Sequence, residues 1–240
     1  MLPRKWDVDS RILARLGKSV GKQRVISENG QHLLILHALP DKSDKQREGV
    51  FFWCNAAGEW QSTLRGRGLA PLMEHIASFA QKEVELEKTY QQAQSAKTYF
   101  QLVEQIAPVL RAVKNMCSTL QSAREQIGDE LIDFRNQAEE LQRTFELLYQ
   151  DCQHGLEYAM ARKAEEQSEL QRKALLAGHR LNILMAVFLP LTALASLLAM
   201  QIPDSLEQLF SLGFVSALII GLGLGLLLRS WVTKTQPQVE

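Results

Sequence analysis

The sequence predicts a mainly α-helical membrane protein. A small N-terminal α/β segment covers residues 1–68, and a helical bundle with a long coiled-coil stalk covers 69–180. A transmembrane hairpin covers 181–228, and a tail covers 229–240. Three observations predict this. Charge disappears near the C-terminus, leaving uncharged runs of 23 residues (Leu181 to Pro203) and 21 residues (Gln208 to Leu228). Upstream, apolar residues recur in alternating steps of three and four, the seam of bundles and coiled coils. Charge is also unevenly divided: residues 1–68 carry 12 Lys/Arg against 7 Asp/Glu, a net +5, and residues 69–180 carry 13 against 17, a net −4.

The N-terminal segment reads as a short helix followed by strands. Asp9 to Leu16 suits the helix. Gln31 to Leu39 (QHLLILHAL) and Gly49 to Asn55 (GVFFWCN) read as strands, and Ala57-Gly58 as a turn into a third, Glu59 to Leu64. Three strands must pack on the helices to be stable. Met1 to Ser10 has Arg4, Lys5, Asp7 and Asp9 and no apolar core, so it does not read as a signal peptide. The basic excess leaves two readings: a surface for anionic lipid, nucleotide or another cytoplasmic partner, or a solvated face.

Three amphipathic helices follow. The first, about Leu69 to Lys97, carries Leu69, Leu72, Ile76, Phe79, Leu86, Tyr90 and Ala93, with Glu83 breaking the ladder. The second, about Thr98 to Leu120, carries Leu102, Ile106, Val109, Val113, Met116 and Leu120. The third starts near Ile127 and carries Leu131, Phe134, Ala138, Leu141, Phe145, Leu148, Cys152, Gly155 and Ala159. Its seam then turns polar at Arg162, Glu166, Glu169 and Lys173, although no proline interrupts it before the first apolar run. Continued to Met200, this helix would be about 110 Å long. It needs the other helices, further copies, or both to cover its seam.

Twenty-three residues at about 1.5 Å each cross a hydrocarbon core of about 30 Å. Pro190 is tolerated within such a span because neighbours re-satisfy the freed carbonyl. Gly221 and Gly225 form GxxxG, which permits close helix approach. Arg172, Lys173, His179 and Arg180 precede the first span, Arg229 and Lys234 follow the second, and the loop between holds Asp204 and Glu207. Positive charge stays inside, so both termini are expected in the cytoplasm. One face of the first span carries Gly178, Leu181, Met185, Leu189, Thr192, Ser196 and Ala199. Its hydroxyls serve either as helix–helix glue or, in an oligomer, as polar rings of a conduit.

Other motifs carry little chemistry. Gly17-Lys18-Ser19 looks like the end of a P-loop, but Ile12 stands where that loop needs glycine. Cys152-x-His154 supplies two metal ligands where a site needs more. Cys54, Cys117 and Cys152 are scattered and read as free thiols of a reducing compartment. No catalytic set stands out, so neither an enzyme nor a cofactor is expected, and no nucleic-acid partner.

The stretch Leu184-Met185-Ala186-Val187-Phe188-Leu189-Pro190-Leu191-Thr192, running to Ala199-Met200-Gln201, resembles the first membrane helix of the CorA superfamily of two-helix divalent-cation transporters. Its wording is most similar to the zinc-transporting ZntB branch. Ile106-Ala107-Pro108-Val109-Leu110-Arg111 looks like that family's proline-marked helix, and the likeness covers about residues 85–230. The resemblance implies a homopentamer in the plasma membrane. It implies that Leu181, Met185 and Leu189 are hydrophobic constrictions of a central pore, that Thr192 and Ser196 are polar rings, and that Ala199 also lines the path. Ala199-Met200-Gln201 stands where the family has Gly-Met-Asn, and Asp204 and Glu207 would form an acidic mouth. Ala199 adds a methyl and Gln201 a methylene, which puts magnesium selectivity in question because Mg²⁺ holds its water tightly. The 68-residue head replaces a larger family domain. The functional expectations are a cation channel or transporter of divergent selectivity, a non-conducting or signal-gated relative, or a membrane-tethered coiled-coil scaffold.

Overall fold

The structure, a computed structural model, describes residues 2–17, 20–40, 47–198, 216, 219, 223 and 227. The element order is α1 (Ser10–Ala14), β1 (Arg24–Glu28), β2 (Gln31–His37), β3 (Gly49–Cys54), β4 (Trp60–Ser62), α2 (Ala70–Gln91), α3 (Ala96–Ile127), a single 3-10 turn (Asp129–Leu131) and α4 (Ile132–Leu198). The chain divides into two units, Met1–Arg162 and Lys163–Glu240, and α4 belongs to both.

The first unit is built on a four-stranded antiparallel sheet in the order β1-β2-β3-β4. The expected three strands become four because β1 was not anticipated. It pairs with β2 through Asn29 (φ 51°) and Gly30 (φ 75°), the two left-handed positions of a tight hairpin turn. Only Ile26 of β1 is buried, so its sequence lacks a strong strand pattern.

In β2, by contrast, Leu33, Leu34, Ile35 and Leu36 are all buried. Successive strand residues point to opposite faces, so an unbroken apolar run means that both faces are covered. Leu33 and Ile35 join Trp6, Ile12, Ile26, Phe51 and Trp53 in one core. There the Trp6 and Trp53 rings stack at 5.8 Å, and α1 with the N-terminal segment covers them. Leu34 and Leu36 join Phe52, Cys54 and Trp60 in the larger core shared with the helices. The sheet thus packs on the helices, as expected, and carries a second cover of its own.

The helical seams are buried as the three-four spacing predicts. Leu72, Ile76, Phe79 and Leu86 of α2 lie in the larger core, with Leu102, Ile106, Val109, Val113, Met116 and Leu120 of α3. Leu131, Phe134, Ala138, Leu141, Phe145, Leu148 and Cys152 complete it. Full burial of a Leu or Phe contributes about 2–3 kcal/mol. Glu83, the break in the α2 ladder, is half-buried, and desolvation followed by the nearby Glu87 charge raises its pKa.

Boundaries shift from expectation for local reasons. The helix α2 ends at Gln91 because Ser95 caps α3, its Oγ accepting from the Thr98 N–H at 3.2 Å. Helix α3 runs through Pro108 to Ile127 and stops at Gly128, whose φ of 139° disfavours side chains. Long-range polar contacts tie sheet to helices. Gln23 Nε2 donates to the Ala112 carbonyl of α3 at 2.9 Å, and Trp60 Nε1 donates to Glu130 at 3.1 Å.

Candidate functional site

The second unit carries the candidate face. From Lys163 to Leu176 the described residues of α4 are exposed, matching the polar turn of the seam. From Leu181 onward the helix carries no charge, and its only polar side chains up to Leu198 are Asn182, Thr192 and Ser196. Leu181, Leu184, Met185, Phe188, Leu189 and Leu191 are 45–60% exposed. By length and composition this helix holds a stretch apolar enough to cross a membrane, and none of that stretch is buried within the chain. Residues 181–198 alone span about 27 Å, close to a hydrocarbon core. Helix α4 continues through Pro190, which removes the N–H that the Ala186 carbonyl would otherwise accept.

Leu181, Met185, Leu189, Thr192 and Ser196 all lie on α4, and at 3.6 residues per turn they fall within an arc of about 80°. Both hydroxyls turn back to their own helix. Thr192 Oγ1 lies 3.0 Å from the Phe188 carbonyl and 2.9 Å from the Leu189 carbonyl, and Ser196 Oγ donates to the Thr192 carbonyl at 2.8 Å. A hydroxyl has one proton and two lone pairs. Once the proton is given to the helix, only acceptor lone pairs remain for anything outside. Such a face suits a cation or a hydrated cation, and it costs little when nothing is bound.

No protein-family model matches this chain, and no curated protein matches it. Solved structures do. The full-length CmaX protein aligns with a TM-score of 0.48 at 14% identity, over 89% of this chain and 80% of that one. The CorA magnesium transporter from Methanocaldococcus jannaschii aligns with a TM-score of 0.48 at 12% identity, over 97% of this chain and 84% of that one.

Ala199, Met200 and Gln201, the acidic pair Asp204 and Glu207, and the Gly221/Gly225 motif lie outside the described residues, as do Lys18 and Ser19. Cys152 and His154 do not converge. Cys152 is fully buried, with desolvation and then the Asp151 charge raising its pKa to about 11, while His154 is exposed. Among the described residues, no three His, Cys, Asp or Glu side chains cluster to hold a metal. Cys54, Cys117 and Cys152 are free thiols, and burial is the main cause raising the pKa of each.

Sequence reasoning passed over His75, which lies on the buried side of α2 beside Leu72, Ile76 and Phe79. Its ring meets Phe52 at 6.0 Å and Phe79 at 5.4 Å, and Nε2 has no partner. Desolvation brings its pKa down to about 4, opposed by a hydrogen bond with the His37 backbone. The signal was present: a histidine at a three-four seam position of an otherwise apolar face.

Proposed function

We propose that this chain is a CorA-like cation channel or transporter of the plasma membrane. Copies assemble, as a homopentamer, with the Leu181, Met185, Leu189, Thr192 and Ser196 side of α4 around a central path, to which the resemblance adds Ala199. The observation that carries this reading is the pair of back-bonded hydroxyls, Thr192 and Ser196, in line with three bulky apolar side chains on one exposed arc. Water and a cation find acceptor oxygens on that line, and the apolar residues form constrictions that dewet when closed. Apart from Asn182, the rest of the sequence from Leu181 to Leu198 is apolar and suits lipid or a second span.

The apolar runs and their flanking charge add the expected topology, two passes with both termini cytoplasmic, and the resemblance adds Asp204 and Glu207 outside as a mouth that concentrates cations. Metal ions are the cargo. Ala199-Met200-Gln201 in place of Gly-Met-Asn implies a selectivity other than that for hydrated Mg²⁺, and the closest wording is that of the zinc-transporting ZntB branch.

The test is flux from the purified full chain in liposomes loaded with a divalent-sensitive dye. The chain should admit a divalent ion, and Thr192→Val with Ser196→Ala should lower the rate at least several-fold at unchanged oligomer mass. No divalent or monovalent flux, or a monomer or dimer in detergent, refutes a central path. The degenerate motif favours one second reading, a signal-gated relative that does not conduct at rest. In that case the parent is silent, and Ala199→Gly with Gln201→Asn creates flux. A coiled-coil scaffold is disfavoured because the α4 seam from Phe134 to Cys152 is already covered inside its own unit.

A further inference from the structure

A cleft of about 200 Å³ opens in the first unit where the β2–β3 hairpin meets α3. Pro108, Arg111, Ala112 and Asn115 form its helical wall, spaced so that they share one side of α3. Opposite them stand the end of β2 at His37 and the residues after it to Pro40, with Arg47 and Glu48 just before β3. Arg47 and Arg111 are exposed, and neither guanidinium makes an ion pair or hydrogen bond with a described residue. Two guanidiniums without a partner among the described residues, on one concave surface, favour an anion between them, and their planar donor forks match phosphate oxygens. The half-buried amide of Asn115 offers a further donor. His37 is committed elsewhere, its Nε2 lying 2.8 Å from the Gly21 carbonyl, so it serves as a wall.

Two features narrow the ligand. Pockets for drug-sized molecules run from about 300 to 1,000 Å³, so this smaller cleft suits a phosphate or diphosphate group rather than a whole nucleotide held on all sides. The Glu48 carboxylate on the same rim disfavours an anion and sets the sign of one test.

We propose that this cleft binds a phosphate group, held between Arg47 and Arg111 with Asn115, independently of any ion path through the membrane. The arrangement would let a soluble phosphate ester or a phospholipid headgroup act on the sheet–helix junction, since Ala112 of the cleft accepts the buried Gln23 amide and His37 lies in β2.

The experiment is calorimetric titration of the full chain in detergent with inorganic pyrophosphate, at constant ionic strength and against chloride. Saturable binding is expected. Arg47→Gln and Arg111→Gln should each weaken it at least about tenfold, the loss of a charge-assisted contact. Glu48→Gln should tighten it, and Lys88→Gln, an exposed lysine on α2, should leave it unchanged. Melting temperatures without ligand check that each variant folds. A parallel titration with a soluble short-chain phosphatidic acid separates the sources: tighter binding than pyrophosphate points to a headgroup, weaker to a free phosphate ester. No saturable binding up to about 10 mM, equal loss in the Lys88 variant, or weakening on Glu48→Gln overturns the proposal.

Discussion

Acidification should destabilise the first unit through one side chain, His75. Its ring is 5% exposed between Phe52 and Phe79, with Nε2 unpartnered, so the charged form has neither water nor a counter-ion. Its pKa falls from 6.5 to about 4, chiefly through desolvation. Between these values the unfolded chain binds a proton that the folded chain refuses, so unfolding takes up a proton and stability falls as pH drops. The contribution is fully present above pH 6.5 and is lost progressively down to about pH 4. At 1.36 kcal/mol per unit, the loss is about 3 kcal/mol. A His75→Asn variant keeps a donor near the His37 backbone but cannot be protonated. It should be less stable at pH 7.5, because the smaller side chain leaves a cavity. It should also lack this part of the pH slope. The assay is urea unfolding followed by tryptophan fluorescence at pH 7.5, 6, 5 and 4, since Trp6, Trp53 and Trp60 all report on the first unit. His32 and His37 also have lowered pKa values through desolvation and add slope of the same sign, so the wild-type minus variant difference is the quantity to read. Parallel curves for the two proteins would show that His75 does not resist protonation as its surroundings imply.

Three further outcomes are expected. Gly155→Ala should destabilise by about 1–2 kcal/mol despite alanine's better helix propensity. An added Cβ lies 2.6 Å from the Tyr99 ring, whose hydroxyl donates to the Ala93 carbonyl at 2.9 Å, and a thermal melt of Gly155→Ala with and without Tyr99→Leu should show partial rescue. Cys152, with its thiol pKa near 11 and no exposed surface, should resist maleimide at pH 7.5 in the folded chain and label fully in denaturant, as mass spectrometry would read. Leu189→Ser should raise resting ion leak in liposomes several-fold if this position is a dewetted constriction, and an unchanged leak counts against its pore-lining role.

The helical framework was legible because its signal is long and periodic. Twenty residues or more of three-four spacing leave few alternative packings, and every apolar seam position expected from Leu102 to Leu120 and from Leu131 to Cys152 is buried. The sheet was less legible. Strand β1 presents only Val25 and Ile26 as apolar residues, one of them fully buried, and its best signal was the Asn29-Gly30 turn, not its own composition. The second cover of the sheet depends on Trp6 reaching Trp53, 47 positions apart in sequence, which no local pattern encodes. Gly155 reads in sequence as a weak point of a helix. In the structure it is the space that the Tyr99 ring occupies. Arg47 and Arg111 share a cleft only because the β2–β3 hairpin returns to α3. The face from Leu181 to Ser196 was legible as a line of residues, and the bonding of its hydroxyls back to their own helix was one of the readings that serine and threonine in a helix allow.

The seam of α4 decides where association can begin. In the first unit its apolar positions are consumed by α2, α3 and the sheet, so joining two copies there would expose one core to build another. Beyond Ala159 the positions that would continue the seam are Arg162, Glu166, Glu169 and Lys173, which favour water over a dry interface. Exposed apolar residues such as Leu170 and Leu175 stand among charges there, and from Leu181 the helix presents a continuous apolar surface that nothing in the described chain covers. In lipid, however, apolar surface alone does not draw helices together, because the tails are as apolar as leucine. Close packing and polar groups must select the contact. Between Leu181 and Leu198 the hydroxyls are at Thr192 and Ser196, and their protons are already satisfied internally. They contribute little direct glue between neighbours, and their lone pairs are better matched to water and cations. The feature that weakens them as an adhesive is the one that fits them to face a wet path.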